Sequence, residues 1–453
     1  MEKSKTGARL IARAGQSLAA AALLISFAYS KPAFAGGAEP DRSHAVKQRQ
    51  LPAGYPSAPS QRAVFSIPVE PLGFSGPGPL YLGERNAMAS IGFIDENRLL
   101  FTFRVPGLIR RSLKPGQNSD SGVRQIRALV LNASTGVVES EALWSVHDRA
   151  RYLWMLNDGH FLLRDKENLS EGDSHLDLKP LLQFPGPLLR IGLDPGQQFI
   201  VSNSIEPTEV PAVPGVVGNP ATASASITND EEDSEHSGPD FVVRILRREG
   251  GKVMLVSRTR SLVHLPINSK GYVENLRGRS DDWVLNLNYF TGGSHILGNI
   301  NSSCPPLNEF INDDLVLATG CESSGAISLA AISTQGRILW ADLNAATSVW
   351  PVQFQSANGL RIGFETLAVT HAVGPYNPLS NDDIKGQVVR ILNTATGEIA
   401  FESPASPVLD IGGNAALSPS GRRVAVITAG AIQIFDLPAP PPIPNLTNQQ
   451  STH

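Results

Sequence analysis

This chain of 453 residues is short of several things at once. It has two cysteines, four methionines and only 6% aromatic residues, and its 38 Lys and Arg against 42 Asp and Glu leave a net charge of −4. Two cysteines exclude a disulfide-dense miniature scaffold and a four-cysteine zinc framework. A near-neutral charge balance, with a pI of about 6.2, removes the global electrostatic case for nucleic acid. A mean hydropathy of −0.07 excludes a multispan membrane protein. No convincing helical period separates the apolar runs, which argues against βαβ units. Catalytic signatures are missing as well. Gly73-Phe74-Ser75-Gly76-Pro77 fails at the last position of a nucleophile elbow, and there is no Ser-x-x-Lys, no His-Glu-x-x-His and no Gly-x-x-x-x-Gly-Lys.

What is present begins with an address. Lys3, Lys5, Arg9 and Arg13 precede an apolar run over residues 18–29, which is too short to span a bilayer, and Ala33-Phe34-Ala35-Gly36 follows. This pattern predicts a secretory signal peptide over residues 1–35, cleaved between Ala35 and Gly36; the alternative is a short membrane anchor. With no Arg-Arg pair and no cysteine after the run, the expected route is the general secretory one, to a periplasmic or extracellular destination. Residues 36–60 read as a flexible leader and residues 438–453 as a disordered Pro-rich tail, so the folded domain spans residues 61–437. A long Pro- and acid-rich insertion, residues 206–240, interrupts it; its acidic run reads as a solvated loop rather than a calcium site, because it lacks the spaced Asp-x-Asp-x-Asp-Gly pattern. Residues 372–385 form a second insertion.

The whole chain has 41% hydrophobic residues, enough for a packed core, and its 41 Gly and 34 Pro make about one residue in six a potential turn. Two kinds of hairpin recur. The first pairs short apolar runs across Asp95-Glu96-Asn97, Asn157-Asp158-Gly159, Asp194-Pro195-Gly196, Asn312-Asp313-Asp314 and Ser418-Pro419-Ser420-Gly421. The second carries Leu-Asn-x-x-Thr-Gly, at residues 131–136 and 392–397, with looser copies turning at Gly250-Gly251 and Gly336. About seven units of four short strands start near Ala89, Arg151, Leu188, Leu262, Pro306, Val349 and Ile411, the fourth being the least clearly marked. Such repetition predicts an all-β protein, a β-propeller of seven four-stranded blades. The last unit shows only three strands, so an N-terminal strand, at residues 63–69 or 80–83, is expected to close it. The competing architecture is a pair of β-sandwiches.

Leu417-Ser418-Pro419-Ser420-Gly421-Arg422-Arg423-Val424-Ala425-Val426 resembles the Ser-Pro-Asp-Gly hairpin of WD40- and YVTN-type propellers, and Leu-Asn-x-x-Thr-Gly resembles the turn between their third and fourth strands. The resemblance covers residues 89–437 and implies the fold. The Trp-Asp dipeptides of WD40 repeats are absent, and Trp283 follows Asp282 in the reverse order, so it implies no particular ligand.

Cys304 and Cys321 flank the fourth hairpin. If Asn312-Asp313 is its two-residue turn, Ile311 opposes Asp314 and the register sets Cys304 across from Cys321; a disulfide is expected, the alternative being two buried thiols. His147-Asp148, His160, His264, His295 and His371 are the candidates for a metal site assembled where blades converge, but each is expected to be an ordinary surface or core histidine, and neither a metal nor a cofactor is predicted. The basic groups Arg104, Arg110-Arg111, Lys114 and Arg244, Arg247-Arg248 read as a solvated rim. Trp144, Trp154, Trp283, Trp340 and Trp350 read as inter-blade core. Two functions are compatible with this sequence. One is an exported, non-catalytic propeller, a monomer, that offers a face to a protein or small-molecule partner and has neither a membrane span after cleavage nor a nucleic-acid partner. The other is a propeller enzyme with a metal- or cofactor-dependent central site, lactonase- or quinoprotein-like.

Overall fold

The computed structural model describes residues 61–75, 89–105, 123–147, 151–206, 240–249, 252–260, 265–278, 281–321, 327–343, 348–370, 381–409, 412–428 and 430–442. The expected signal peptide and leader, residues 207–239 of the first insertion, residues 372–380 of the second and most of the tail lie outside these residues, as do residues 80–83, Arg110-Arg111, Lys114, Asp148, His264 and His371. Residues 381–385, expected in the second insertion, instead form a 3₁₀ turn and the start of a strand. The described chain is all β apart from one 3₁₀ turn at Asn381–Asp383.

Its strands form seven antiparallel sheets, each a blade of a β-propeller. Blade 1 is β2 (Ser90–Phe93), β3 (Arg98–Arg104), β4 (Arg124–Asn132) and β5 (Val138–Val146). Blade 2 is β6 (Leu153–Met155), β7 (Phe161–Asp165), β8 (Asn168–Gly172) and β9 (Leu178–Gln183). Blade 3 is β10 (Leu188–Leu193), β11 (Phe199–Glu206), β12 (Asp240–Glu249) and β13 (Lys252–Arg260). Blade 4 holds β14 (Gly271–Arg277), β15 (Asp282–Tyr289) and β16 (Ser294–Asn301). Blade 5 holds β17 (Leu307–Asn312), β18 (Leu315–Cys321), β19 (Ile327–Ser333) and β20 (Ile338–Leu343). Blade 6 holds β21 (Ser348–Gln355), β22 (Arg361–Val369), β23 (Ile384–Asn393) and β24 (Ile399–Ala405). Blade 7 is β25 (Ala415–Leu417), β26 (Arg423–Thr428), β27 (Ala431–Asp436) and β1 (Phe65–Pro68), with Phe65 opposite Ile434 and Pro68 opposite Ala431. The N-terminal segment therefore closes the last blade, as the missing fourth strand required.

Each apolar strand serves two cores because successive side chains point to opposite faces. Leu315 and Leu317 of β18 pack with Ile362 and Phe364 of blade 6, while Val316 and Ala318 pack with Leu285 and Leu287 of blade 4. In β26, Val424 and Val426 face blade 6, and Ala425 and Ile427 face Leu99 and Phe101 of blade 1. Seven apolar clusters result, one between each pair of neighbouring blades, and the cluster around Ile67, Ile91 and Ile432 joins blade 7 to blade 1. Each large aliphatic side chain removed from water this way contributes about 1.5–3 kcal/mol.

The first-hairpin turns fall where expected and bond one another around one face. Ser420 donates its backbone N–H to Glu96 Oε1 at 2.6 Å, Asn358 Nδ2 donates to the Ser420 carbonyl at 2.9 Å, and Asn268 Nδ2 donates to the Asp313 carbonyl at 2.9 Å. The second-hairpin turns need glycine. Gly397 has φ 73°, and a Cβ there would lie 2.6 Å from the Trp340 ring.

The fourth unit was hard to read because its inner strand is almost absent. Pro266 has no N–H to give a ladder, and among the described residues the segment pairs through a single Ile267–Tyr272 bridge. The Cys304–Cys321 register also differs from expectation. A bulge sits between Phe310 and Asn312, Asn312 pairs with Leu315, and Asp313-Asp314 form the turn. The ladder stops at Leu307, so Cys304 lies off it, tied back by Ser303, whose N–H donates to the Cys321 carbonyl at 2.8 Å. The two cysteines nevertheless stand at disulfide distance, with Cα atoms 5.5 Å apart.

Candidate functional site in the central channel

The inner strands of six blades and the Leu265–Ile267 segment of blade 4 line a cavity of about 440 Å³. Convergence favours small residues there: Gly92 leaves space that Met155 of the next blade fills, and a Cβ at Gly92 would lie 2.4 Å from Met155 Cγ. Five charged residues line the cavity; Asp194 belongs to the β10–β11 turn, and the other four come from four different blades. These four are Arg151, just before β6; Arg190 on β10; Glu309 on β17; and Glu365 on β22.

The environments differ. Arg151 and Arg190 are ringed by protein atoms yet reached by solvent along the channel. Burial pulls both guanidiniums below the usual range, and Glu309 pulls both back. Arg151 Nε donates to the Leu153 carbonyl at 3.3 Å, and its guanidinium lies 5.5 Å from the centre of the Trp154 ring. Glu309 is half-buried; burial raises its carboxyl, and Arg190 and Arg151 oppose the rise.

Glu365 is 2% exposed and fully engaged. Its Oε1 accepts the backbone N–H groups of Gly413 (3.1 Å) and Ala415 (3.2 Å), and its Oε2 accepts those of Asn414 (3.2 Å) and the Gln387 side chain (3.2 Å). Gln387 in turn accepts from the Leu409 N–H (2.9 Å) and Asn414 Nδ2 (2.7 Å). The carboxyl thus bolts β22 and β23 to the segment entering β25. Burial pushes it up to about 7, against the pull of these backbone donors and Arg151. Asp194, in the β10–β11 turn, is pushed up to about 6 by burial while it accepts the N–H groups of Phe199 and Gly196. The buried Tyr152 phenol, raised by burial, shares a 2.7 Å hydrogen bond with Thr102 Oγ1.

The histidines do not gather. His147 Nδ1 stands 2.9 Å from Asp165, His295 is exposed on the outer strand β16, and none of the described histidines lines the channel. His160 lies with Asp158 and Glu171 in an arrangement whose ligand atoms suit a metal, but a guanidinium already fills it: Arg248 donates to Asp158 at 3.0 Å and to Glu171 at 2.9 Å. The solvated-rim reading fails for Arg244, which is 1% exposed. Its Nη2 donates to Glu206 Oε2 at 2.6 Å, because a cation on a central strand must be paired to be buried. Glu206 and Asp240, expected at the ends of the insertion, are instead the last residue of β11 and the first of β12, paired in register. Trp144 and Trp154 are buried between blades as expected, while Trp283 and Trp340 are half-buried and donate to the carbonyls of Ser302 and Thr394.

The four channel charges were not singled out from the sequence. For Arg190 and Glu309 the signal is a lone charge inside an apolar inner strand, in Leu188-Leu189-Arg190-Ile191 and Leu307-Asn308-Glu309-Phe310. It becomes legible only once the inner strand is known.

No family model and no curated protein matches the chain. Solved structures do. The chain is similar to the C-terminal WD40 domain of Sif2, with 9% identity and a TM-score of 0.41 over 85% of this chain and 100% of that one. It is similar to TolB from Acinetobacter baumannii, with 12% identity and a TM-score of 0.36 over 69% and 74%. It is also similar to an acylaminoacyl peptidase from Pyrococcus horikoshii, with 9% identity and a TM-score of 0.40 over 76% and 52%. The fold therefore rests on the chain's own strand order, a seven-bladed propeller that resembles WD40 propellers in fold alone.

Proposed function

We propose that this chain is an exported, non-catalytic β-propeller that binds a partner, with the central channel as part of its binding surface. The observation that carries the reading is the mixture of charges in the channel. Glu365 has both oxygens occupied by N–H donors, and Glu309 shares its cavity with two guanidiniums. A divalent cation there would meet two fixed positive charges and, with the oxygens of Glu365 and Asp194 taken by N–H donors, one available carboxylate, a poor donor set. Propellers present such faces to proteins and small molecules alike, and the closed ring leaves the connecting loops free to vary.

Export is part of the proposal. Its supports are the basic, apolar and small-residue order of residues 1–36 and a cysteine pair at disulfide distance. No helix among the described residues is long and apolar enough to cross a membrane.

The test is to express the full chain in a bacterium, fractionate the cells and analyse the purified product. The reading expects an N-terminus at Gly36, no thiol alkylated before reduction, and metal content well below one ion per chain. A stoichiometric ion would favour the metal-dependent enzyme; an uncleaved cytosolic chain with two reactive thiols would end the export claim.

A further inference from the structure

Two charged groups in the channel, Arg151 and Glu309, are joined to no oppositely charged side chain within ion-pair distance among the described residues. Arg151 spends its Nε on the Leu153 carbonyl and rests against Trp154, so its guanidinium is oriented, but its two terminal nitrogens make no hydrogen bond among the described residues. Glu309 makes no hydrogen bond among the described residues either. Both line the same 440 Å³ cavity. They feel one another's charge, yet no ion pair within 4.0 Å joins them. The reason is architectural. Arg151 sits on blade 2 and Glu309 on blade 5, three blades apart on opposite walls of a ring that its seven cores make rigid.

Leaving two partly desolvated charges facing each other across a gap is costly unless something spans it. A simple anion would find Arg151 but meet Glu309; a simple cation would find Glu309 but meet Arg151 and Arg190. A molecule with both signs satisfies both walls. The cavity is within the range that holds small ligands, and the planar guanidinium fork matches a carboxylate edge.

We infer that the channel is a site for a small zwitterion of the α-amino acid type, its carboxylate on Arg151 and its ammonium on Glu309. Trp154, whose ring centre lies 5.5 Å from the guanidinium, backs the Arg151 fork. Glu365, its oxygens already filled, shapes the wall and takes no part in holding the ligand. The inference rests on the reading of the channel as a binding surface.

Calorimetric titration of the mature chain with each standard L-amino acid tests it, followed for any binder by titration with its α-hydroxy acid and its decarboxylated amine. At least one amino acid is expected to bind, with both analogues weaker by about tenfold or more. Arg151→Gln and Glu309→Gln are each expected to weaken binding by a similar factor, with the near-ultraviolet circular dichroism of the parent retained, since both side chains project into solvent-reached space. Three results would overturn the assignment: no binding of any amino acid at millimolar concentration, a hydroxy acid that binds as tightly as its amino acid, or full affinity in Glu309→Gln. Recovery of the ligand after incubation separates this from the functional reading. A bound but chemically altered amino acid would keep the site's occupant and sink the non-catalytic proposal.

Discussion

Glu365 offers the sharpest test of the physical reasoning, because burial and hydrogen bonding oppose each other at one carboxyl. Three backbone N–H groups and the Gln387 amide favour the ionised form, whereas removal from water favours the neutral one. The balance places its pKa at about 7, against an ordinary 4.5. A raised carboxyl binds its proton more tightly in the folded chain than in the unfolded one. Its contribution to stability is therefore unaffected below about pH 4.5, declines as pH rises, and is fully lost above about pH 7. The upward shift corresponds to roughly 3 kcal/mol over that window. Asp194 and Glu309 act with the same sign, so the comparison must be with Glu365→Gln, in which their effects largely cancel. Urea unfolding of both proteins from pH 4 to pH 8 is expected to show the wild-type stability falling by about 3 kcal/mol relative to the variant. Carbon-13 spectra of Glu-labelled protein should show one carboxyl carbon, missing in the variant, titrating near 7. A carboxyl titrating at or below 4.5, with a difference in stability that is flat with pH, would mean that the donors outweigh burial, and the argument would be refuted.

Three further outcomes are expected. Glu206→Ala strands the Arg244 guanidinium inside blade 3 and should cost about 3–5 kcal/mol in denaturant unfolding, whereas Glu206→Leu with Arg244→Met should lose much less. Gly397→Ala forces a side chain at positive φ into Trp340, so it should destabilise by clearly more than Gly430→Ala, where φ is also positive but nothing lies within 4 Å and strain alone costs about 1–2 kcal/mol. A chain trimmed to begin after Val69 lacks β1 and bares the edge of β27; light scattering should report concentration-dependent association that trimming to Arg62 does not produce.

The fold was legible because its punctuation is local. Asp194-Pro195-Gly196 and Leu392-Asn393-Thr394-Ala395-Thr396-Gly397 each specify a turn within a few residues, and the strands between them follow. Where the local signal fades, so does the reading: the inner segment of blade 4 contains Pro266 and keeps one bridge. The cysteine pairing survived a wrong register because backbone bonds from Ser303, outside the ladder, bring Cys304 back to Cys321. The channel charges were not legible, since Arg151, Arg190, Glu309 and Glu365 are spread over more than two hundred residues and meet only through ring closure. Arg244 misled for a related reason: its partner Glu206 lies across an insertion, and nothing in Arg244-Ile245-Leu246-Arg247-Arg248 separates a buried cation from exposed ones.

The pairing of β1 with β27 also sets a schedule. The chain emerges N-terminus first, on the export proposed here from the secretory channel, so β1 appears more than three hundred and fifty residues before its partner and must wait while the six blades between them take shape. A product that terminates early, before residue 431, has nothing to receive β1. It retains a dangling apolar segment at its head, a mark by which proteases can tell an unfinished molecule from a finished one.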